Sequence, residues 1–172
     1  MGKVLIGIAC LCLLGFFFIQ QKEPSTTKIN APLVEKREVP EGWKEYTHDT
    51  YRFSLLHPTI LVVSEHDEGD GASTIVFQNP DEGVGFQIFV VPYLEAQVSE
   101  ERFHKDLPSG IRKDMENITI DGALGASFRS RNLLLGETHE VWFVNGGYLY
   151  EVTAPKPLDA WLATIMETWK FL

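Results

Sequence analysis

Residues 137–153 restrict the possible folds of this chain more than any other stretch. Two runs rich in β-branched and aromatic residues, Glu137–Val144 and Tyr148–Thr153, flank Asn145-Gly146-Gly147. Asn and Gly supply the positive φ angles that a short reversal needs, so the segment predicts a β-hairpin. Side chains alternate along a strand. Trp142 and Val144 therefore face one way, and Val141 and Phe143 the other. A strand that is apolar on both faces needs cover on both, which places this part of the sheet inside the molecule.

The rest of the chain from Trp43 reads as further short strands and two helices. Tyr51-Arg52-Phe53-Ser54-Leu55-Leu56 alternates and stops at His57-Pro58, as a strand ended by proline does. A short strand is expected at Ile60–Ser64, then an acidic loop at His66–Gly71. Strands follow at Ser73–Gln78 and Val84–Tyr93, divided by the turn residues Asn79-Pro80-Asp81. Ser99 suits a helix N-cap, with Glu100 and Glu101 favoured by the helix dipole. That helix carries Phe103 and Leu107 inward and is interrupted near Pro108. Asn117–Ile120 and Ala123–Arg131 read as strands about the turn Asp121-Gly122. The chain closes on Pro157–Leu172, where Leu158, Trp161, Leu162, Ile165, Trp169 and Leu172 fall on one helical stripe. Pro157 suits the first position of that helix and Asp159 its first turn.

Ahead of this lies an uncharged apolar run, Val4 to Ile19. Sixteen helical residues reach about 24 Å, which thinning of the bilayer and a snorkelling Lys22 extend to a full span. The run ends in bulky Phe16-Phe17-Phe18-Ile19, without the small residues of a signal-peptidase site. An uncleaved anchor is the preferred reading. A lipoprotein acylated at Cys10 and a cleaved signal peptide remain as alternatives, and all three export the rest of the chain. The expected division is an anchor or signal segment at 1–20, an extended linker at 21–42 and a folded domain at 43–172. The linker, rich in Pro, Thr, Lys and Glu, spans about 25 Å as a flexible coil. With Lys3 kept inside, the domain is expected on the extracytoplasmic side, periplasmic or at the cell surface.

Charge excludes one class of partner. Residues 43–172 hold ten Lys/Arg against twenty Asp/Glu, a balance of −10. Binding nucleic acid or anionic lipid needs clustered cations, so neither is expected on this domain. Both cysteines, Cys10 and Cys12, lie in the leader, leaving the domain without a disulfide, a thiol nucleophile or a thiolate zinc site.

The sequence carries no catalytic signature. Gly125-Ala126-Ser127-Phe128 approaches G-x-S-x-G, but Arg129 replaces the last glycine and the segment reads as a strand. Ser25-Thr26-Thr27-Lys28 sits in the linker, where nothing desolvates the lysine. His48, His57, His66, His104 and His139 are scattered without metal-ligand spacing. The acidic stretch 66–71 departs from the EF-hand pattern and lacks its closing Glu. No catalytic, cofactor-binding or metal residue is expected, and no cofactor.

Taken together, Tyr51-Arg52-Phe53-Ser54 with His57-Pro58, the strand Glu140-Val141-Trp142-Phe143, the Gly-containing hairpin to Tyr148-Leu149-Tyr150 and the closing Trp169-Lys170-Phe171 resemble the PsbP-like family over about residues 43–172. The resemblance implies a small exported or membrane-attached α+β domain. Its antiparallel β-sheet would be covered by helices on both faces, an α/β/α sandwich, here preceded by a single N-terminal transmembrane helix. Photosynthetic members assist a membrane complex, and the family lends no active site. The expected function is a non-enzymatic module that binds or stabilises a protein partner at the membrane surface. Two alternatives stand beside it: an enzyme, such as a hydrolase, with no local signature, and a calcium- or ligand-sensing ectodomain using the 66–71 loop.

Overall fold

Strands form where side chains alternate or run apolar, and the chain turns at Gly, Asn and Asp. The computed structural model describes residues 37–172. The anchor expected at 1–20 and the linker as far as residue 36 lie outside the described residues. In chain order the elements are β1 (Trp43–His48), β2 (Phe53–Pro58), β3 (Val62–Gly69), β4 (Ala72–Asn79), β5 (Val84–Pro92), α1 (Glu100–Asp106), β6 (Lys113–Ile120), β7 (Ala123–Asn132), β8 (Gly136–Asn145), β9 (Tyr148–Pro155), α2 (Asp159–Met166) and β10 (Lys170–Phe171). No helix among the described residues is long and apolar enough to cross a membrane.

Seven strands form one sheet in the order β3-β4-β5-β9-β8-β7-β6, with every neighbouring pair antiparallel. Two meanders, β3 to β5 and β6 to β9, meet where β5 pairs with β9, and α1 lies in the connection between them. The β8–β9 hairpin sits near the middle. Its loop is Gly146-Gly147 alone, with φ of 59° and 85°, because Asn145 already pairs with Tyr148. Positive φ at both loop positions gives the reversal whose twist matches that of the strands.

Parity along β8 separates two cores. Val141 and Phe143 belong to the larger, with Ile75, Phe77, Phe86, Ile88, Tyr150 and Val152 from neighbouring strands. That face is closed by Leu162, Ile165 and Met166 of α2 and by a second sheet, β1-β2-β10, which contributes Phe53 and Leu55. Trp142 belongs to the smaller core, with Phe128 and Leu149, and there Phe103 and Leu107 of the α1 segment pack against it. Ser99 caps α1 as expected: its Oγ accepts the Arg102 N–H at 3.3 Å.

Three expectations need correction. First, the closing helix does not reach Leu172; it runs from Asp159 to Met166 after a single 3-10 turn, Lys156–Leu158. The Thr168 hydroxyl donates to Ile165 O at 2.6 Å and accepts the Leu56 N–H at 2.8 Å, which turns the chain toward β2. Lys170 and Phe171 then pair with Ser54 and Phe53. Trp169 is still fully buried, while Leu172 is half exposed. Second, the acidic segment 66–71 is largely strand: β3 continues to Gly69 with a bulge between Asp67 and Gly69. Cross-strand pairing with β4 outweighs the turn preference of Asp and Gly there. Third, β1 and β10 are strands that the pattern did not announce; they take their place from β2, which is buried along its length.

Close approach of β7 to β8 requires glycine at one position. A Cβ on Gly125 would stand 2.4 Å from Trp142 O and 2.6 Å from Phe143 Cβ. Gly125→Ala is expected to cost about 2 kcal/mol or more, since relief requires the strands to separate. A urea midpoint unchanged from wild type would contradict this packing.

Candidate functional site

Two rows of side chains cross the α1 face in register. Phe89, Glu151, Trp142 and Ala126 stand opposite one another on β5, β9, β8 and β7, and Gln87, Thr153, Glu140 and Phe128 form the next row. α1 covers the apolar end of these rows. Beside it the face opens into a cavity of about 710 Å³. Its floor includes Gln87, Phe89, Glu140, Trp142, Glu151 and Thr153. One wall is Asp106, Leu107, Pro108 and Ser109 at the end of α1; the other is the β7–β8 turn from Ser130 to Leu134. Ser109 and Ser130 join the two walls through their hydroxyls at 3.1 Å.

The two floor carboxyls are held differently. Glu140 is 4% exposed, and all of its hydrogen-bonding neighbours are donors. Thr138 Oγ1 donates to Oε1 at 2.6 Å, Thr153 Oγ1 to Oε2 at 2.6 Å and Trp142 Nε1 to Oε2 at 3.3 Å. Burial pushes its carboxyl above the usual range, and those three hydrogen bonds pull it partly back. Glu151, 6% exposed, lies beside Arg102 and Asp106 of α1. Arg102 contacts Asp106 directly, and its Nη2 is 3.5 Å from Glu151 Oε1. Burial first, then the neighbouring Asp106, push Glu151 up to about 9 against the attraction of Arg102. It therefore carries a proton at neutral pH, and the direct contact of Arg102 is with Asp106.

Sequence reasoning missed Glu140 and Glu151. The signal was present in strand parity: Glu140 lies two residues from Trp142 and so shares its face, which the pattern marks as interior.

On the opposite face, Ser127 occupies an unexpected setting. Ser127 Oγ is 2.9 Å from His139 Nε2, and His139 Nδ1 is 3.2 Å from Asp159 Oδ1 at the start of α2. These are the members of a serine-hydrolase triad, brought together from β7, β8 and α2 next to a cavity of about 370 Å³. Two features oppose catalysis. The His139–Asp159 contact is off the line of a hydrogen bond. Ser127 also sits mid-strand, opposite Glu116 of β6 and Val141 of β8. A serine nucleophile is ordinarily presented on a sharp strand-to-helix turn, and Ser127 is not on one. The group links the sheet to the start of α2.

The other residues weighed for chemistry lie apart. His48 Nε2 is 3.1 Å from Glu65 Oε1, and His57 Nδ1 is 3.0 Å from Pro58 O. In the 66–71 segment Asp67 accepts the Gly69 N–H, and Glu68 accepts the Thr74 hydroxyl. Among the described residues no three His, Cys, Asp or Glu side chains gather as a metal site.

No family model matches the chain. No curated protein matches it in sequence. A solved structure does match in three dimensions: the solution structure of cyanobacterial PsbP (CyanoP) from Synechocystis sp. PCC 6803 has a TM-score of 0.59, covering 83% of this chain and 100% of that one at 12% identity. The fold is PsbP-like. At that identity the likeness establishes the path of the backbone, built mainly of antiparallel strands with few helices.

Proposed function

We propose that this chain is a membrane-anchored, extracytoplasmic PsbP-like module that binds or steadies a protein partner at the membrane surface and performs no chemistry of its own. In this reading residues 1–20 are the anchor, 21–42 the tether, and the domain an α/β/α sandwich with helical cover on both faces. The observation that carries it is the tip of the β7–β8 hairpin. Leu133 and Leu134 are 102% and 94% exposed. They are not loose: Asn132 Oδ1 accepts the N–H groups of Leu134 at 2.7 Å and Leu135 at 3.2 Å, fixing the turn that displays them. Two fully exposed leucines on an ordered turn leave apolar area in water, and covering each contributes roughly 1.5–3 kcal/mol. Ordering the turn beforehand lowers the entropy cost of docking.

The PsbP-like fold supports a binding role. The Ser127–His139–Asp159 group is the specific observation in favour of a hydrolase, and the misaligned His139–Asp159 contact and the mid-strand place of the serine weigh against it. Calcium sensing has less support, because Asp67 and Glu68 are engaged locally.

The test is crosslinking of the full-length protein in its native membrane, alongside a Leu133→Ser/Leu134→Ser variant. A discrete partner adduct that the variant loses is the expected outcome. Adducts of equal yield with the variant would remove the tip from the interface, and recovery of self-adducts alone would sink the partner reading. In the same membranes a fluorophosphonate probe is expected to leave Ser127 unlabelled; labelling abolished by Ser127→Ala would make the chain an enzyme.

A further inference from the structure

We propose that the cavity on the α1 face binds a small amphiphilic organic cation, its guanidinium or ammonium head on Glu140 and Glu151 and its apolar body between Phe89, Leu107 and the Leu133–Leu134 turn. The turn is shared with the partner reading above, but the probes below are read on the protein alone, so this site stands or falls without a partner.

Size comes first. A cavity of about 710 Å³ falls in the range that accepts a drug-sized molecule, and its wall-and-floor arrangement, apolar sides over a few convergent polar groups, is that of a small-molecule site. Charge comes second. Glu140 and Glu151 occupy central strands paired on both sides, where Val or Thr would satisfy the sheet without desolvating a carboxyl. Glu140 is nevertheless retained inside a ring of three donors. These donors fill three of the roughly four acceptor sites of a carboxylate, two on Oε2 and one on Oε1, so Oε1 keeps a site for a further donor. Among the described residues no cation pairs with Glu140, and Arg102 is shared between Asp106 and Glu151.

The ligand class follows by elimination. An anion would meet Glu140 on the floor and find Arg102 already engaged by Asp106, with only Arg131 at the mouth to attract it. A wholly apolar molecule would offer the Glu140 carboxyl neither a hydrogen bond nor a charge. A planar guanidinium or an ammonium offers donors and charge together, and its carboxylate hydrogen bonds are the strong kind. Phe89 and Leu107 flank the apolar body, with the Leu133–Leu134 turn at its edge.

Proton linkage gives the site a signature. The charged and titratable groups facing the floor are Arg102 and Asp106 from α1, Glu140 from β8, Glu151 from β9 and Arg131 at the mouth; β4 and β5 contribute the neutral Thr74, Gln87 and Phe89. Glu151 is protonated at neutral pH, held there by burial and by Asp106. An arriving cation favours its carboxylate, so binding releases a proton to solvent, and affinity rises with pH until Glu151 has ionised.

The probe is 2-phenylethylguanidinium, charged at all accessible pH, compared with the isosteric neutral 2-phenylethylurea. Both are titrated calorimetrically into the full-length protein in nanodiscs. At pH 8 the guanidinium is expected to bind at least about tenfold more tightly than the urea. Its affinity should climb between about pH 6 and about pH 9 while that of the urea stays level. Heats in two buffers of different ionisation enthalpy should reveal proton release. Glu151→Gln is expected to flatten the pH profile, and Glu140→Gln to bring the guanidinium down to the urea. Equal affinities of the two probes, or no binding at millimolar concentration, would overturn the proposal on the wild-type protein whatever the variants do. Tighter binding of acetyl-Leu-Arg-Leu-amide than of the free guanidinium would overturn it too, by assigning the cavity to a basic side chain of a protein.

Discussion

Replacing Trp169 by alanine is expected to remove about 3–5 kcal/mol of stability, the largest loss anticipated from a single side chain here. Trp169 is 1% exposed and lies where the closing turn meets both sheets. Its ring stacks on Phe53 at 4.3 Å and 10°, and it meets Phe143 at 5.0 Å and Tyr150 at 5.6 Å edge-on. Truncation therefore leaves a cavity shared by β2, β8 and β9 that rigid neighbours cannot refill. For a domain of this size the melting temperature should fall by about 10 °C or more. Trp169→Phe is the informative control. The indole Nε1 is buried without a hydrogen-bond partner. Phenylalanine loses volume but also deletes that unpaired donor, so its cost should be less than half that of alanine. Denaturant melts of both variants decide the matter. A loss below about 1 kcal/mol for alanine would mean that the aromatic cluster is not the cooperative core it resembles.

The second large effect is on pH dependence. Glu151 is raised from 4.5 to about 9, chiefly by burial. Below the unfolded-state value both states hold the proton, and its contribution to stability is complete. Between 4.5 and about 9 the unfolded chain gives up the proton while the folded domain keeps it, so stability falls as pH rises. At pH 7 the loss relative to the acid plateau is on the order of 3 kcal/mol. Glu140, also raised by burial, acts in the same direction. Asp121 acts in the opposite one. The Lys170 ammonium and the Phe171 N–H hold its carboxyl low, and that stabilisation, present above its unfolded value of 3.8, is lost as pH drops through the folded value. The domain should thus be most stable in mildly acid solution and weaken toward alkaline pH. Glu151→Gln should be more stable than wild type at pH 8 and should lose much of the slope. A wild-type stability that is level from pH 5 to pH 8, measured by urea melts, would place Glu151 in contact with water.

The elements most easily read from sequence were those whose signals are local. Ser99 capping α1 and Gly146-Gly147 closing the central hairpin involve backbone groups a few residues away, and each stands where its residue types require. The two-faced apolar character of β8 was legible for the same reason, since parity within one strand decides it. The end of α2 was not. The stripe from Leu158 to Leu172 has helical spacing throughout, and nothing between Met166 and Lys170 forbids helix. What stops it is the hydrogen bonding of Thr168 to Leu56, a residue 112 positions away, and the empty edge of β2.

The candidate site divides in the same way. Ser127 drew attention only through an imperfect motif, and the partners that it does have, His139 and Asp159, are reached through strand register and the placement of α2. Glu140 and Glu151 stand eleven residues apart in the chain and share a floor because Trp142 pairs with Glu151 and Glu140 with Thr153. From sequence alone they were two among twenty carboxylates.

Sequence by itself determined an α+β fold around an antiparallel sheet with apolar residues on both faces, because alternation and turn chemistry act within a few residues. Tertiary structure alone decided that a second sheet, not a longer helix, completes the main core, and that two carboxyls lie dry beneath an open cavity. Burial and edge pairing are long-range properties: they depend on which distant strand arrives alongside, and no local pattern of residues encodes that arrival.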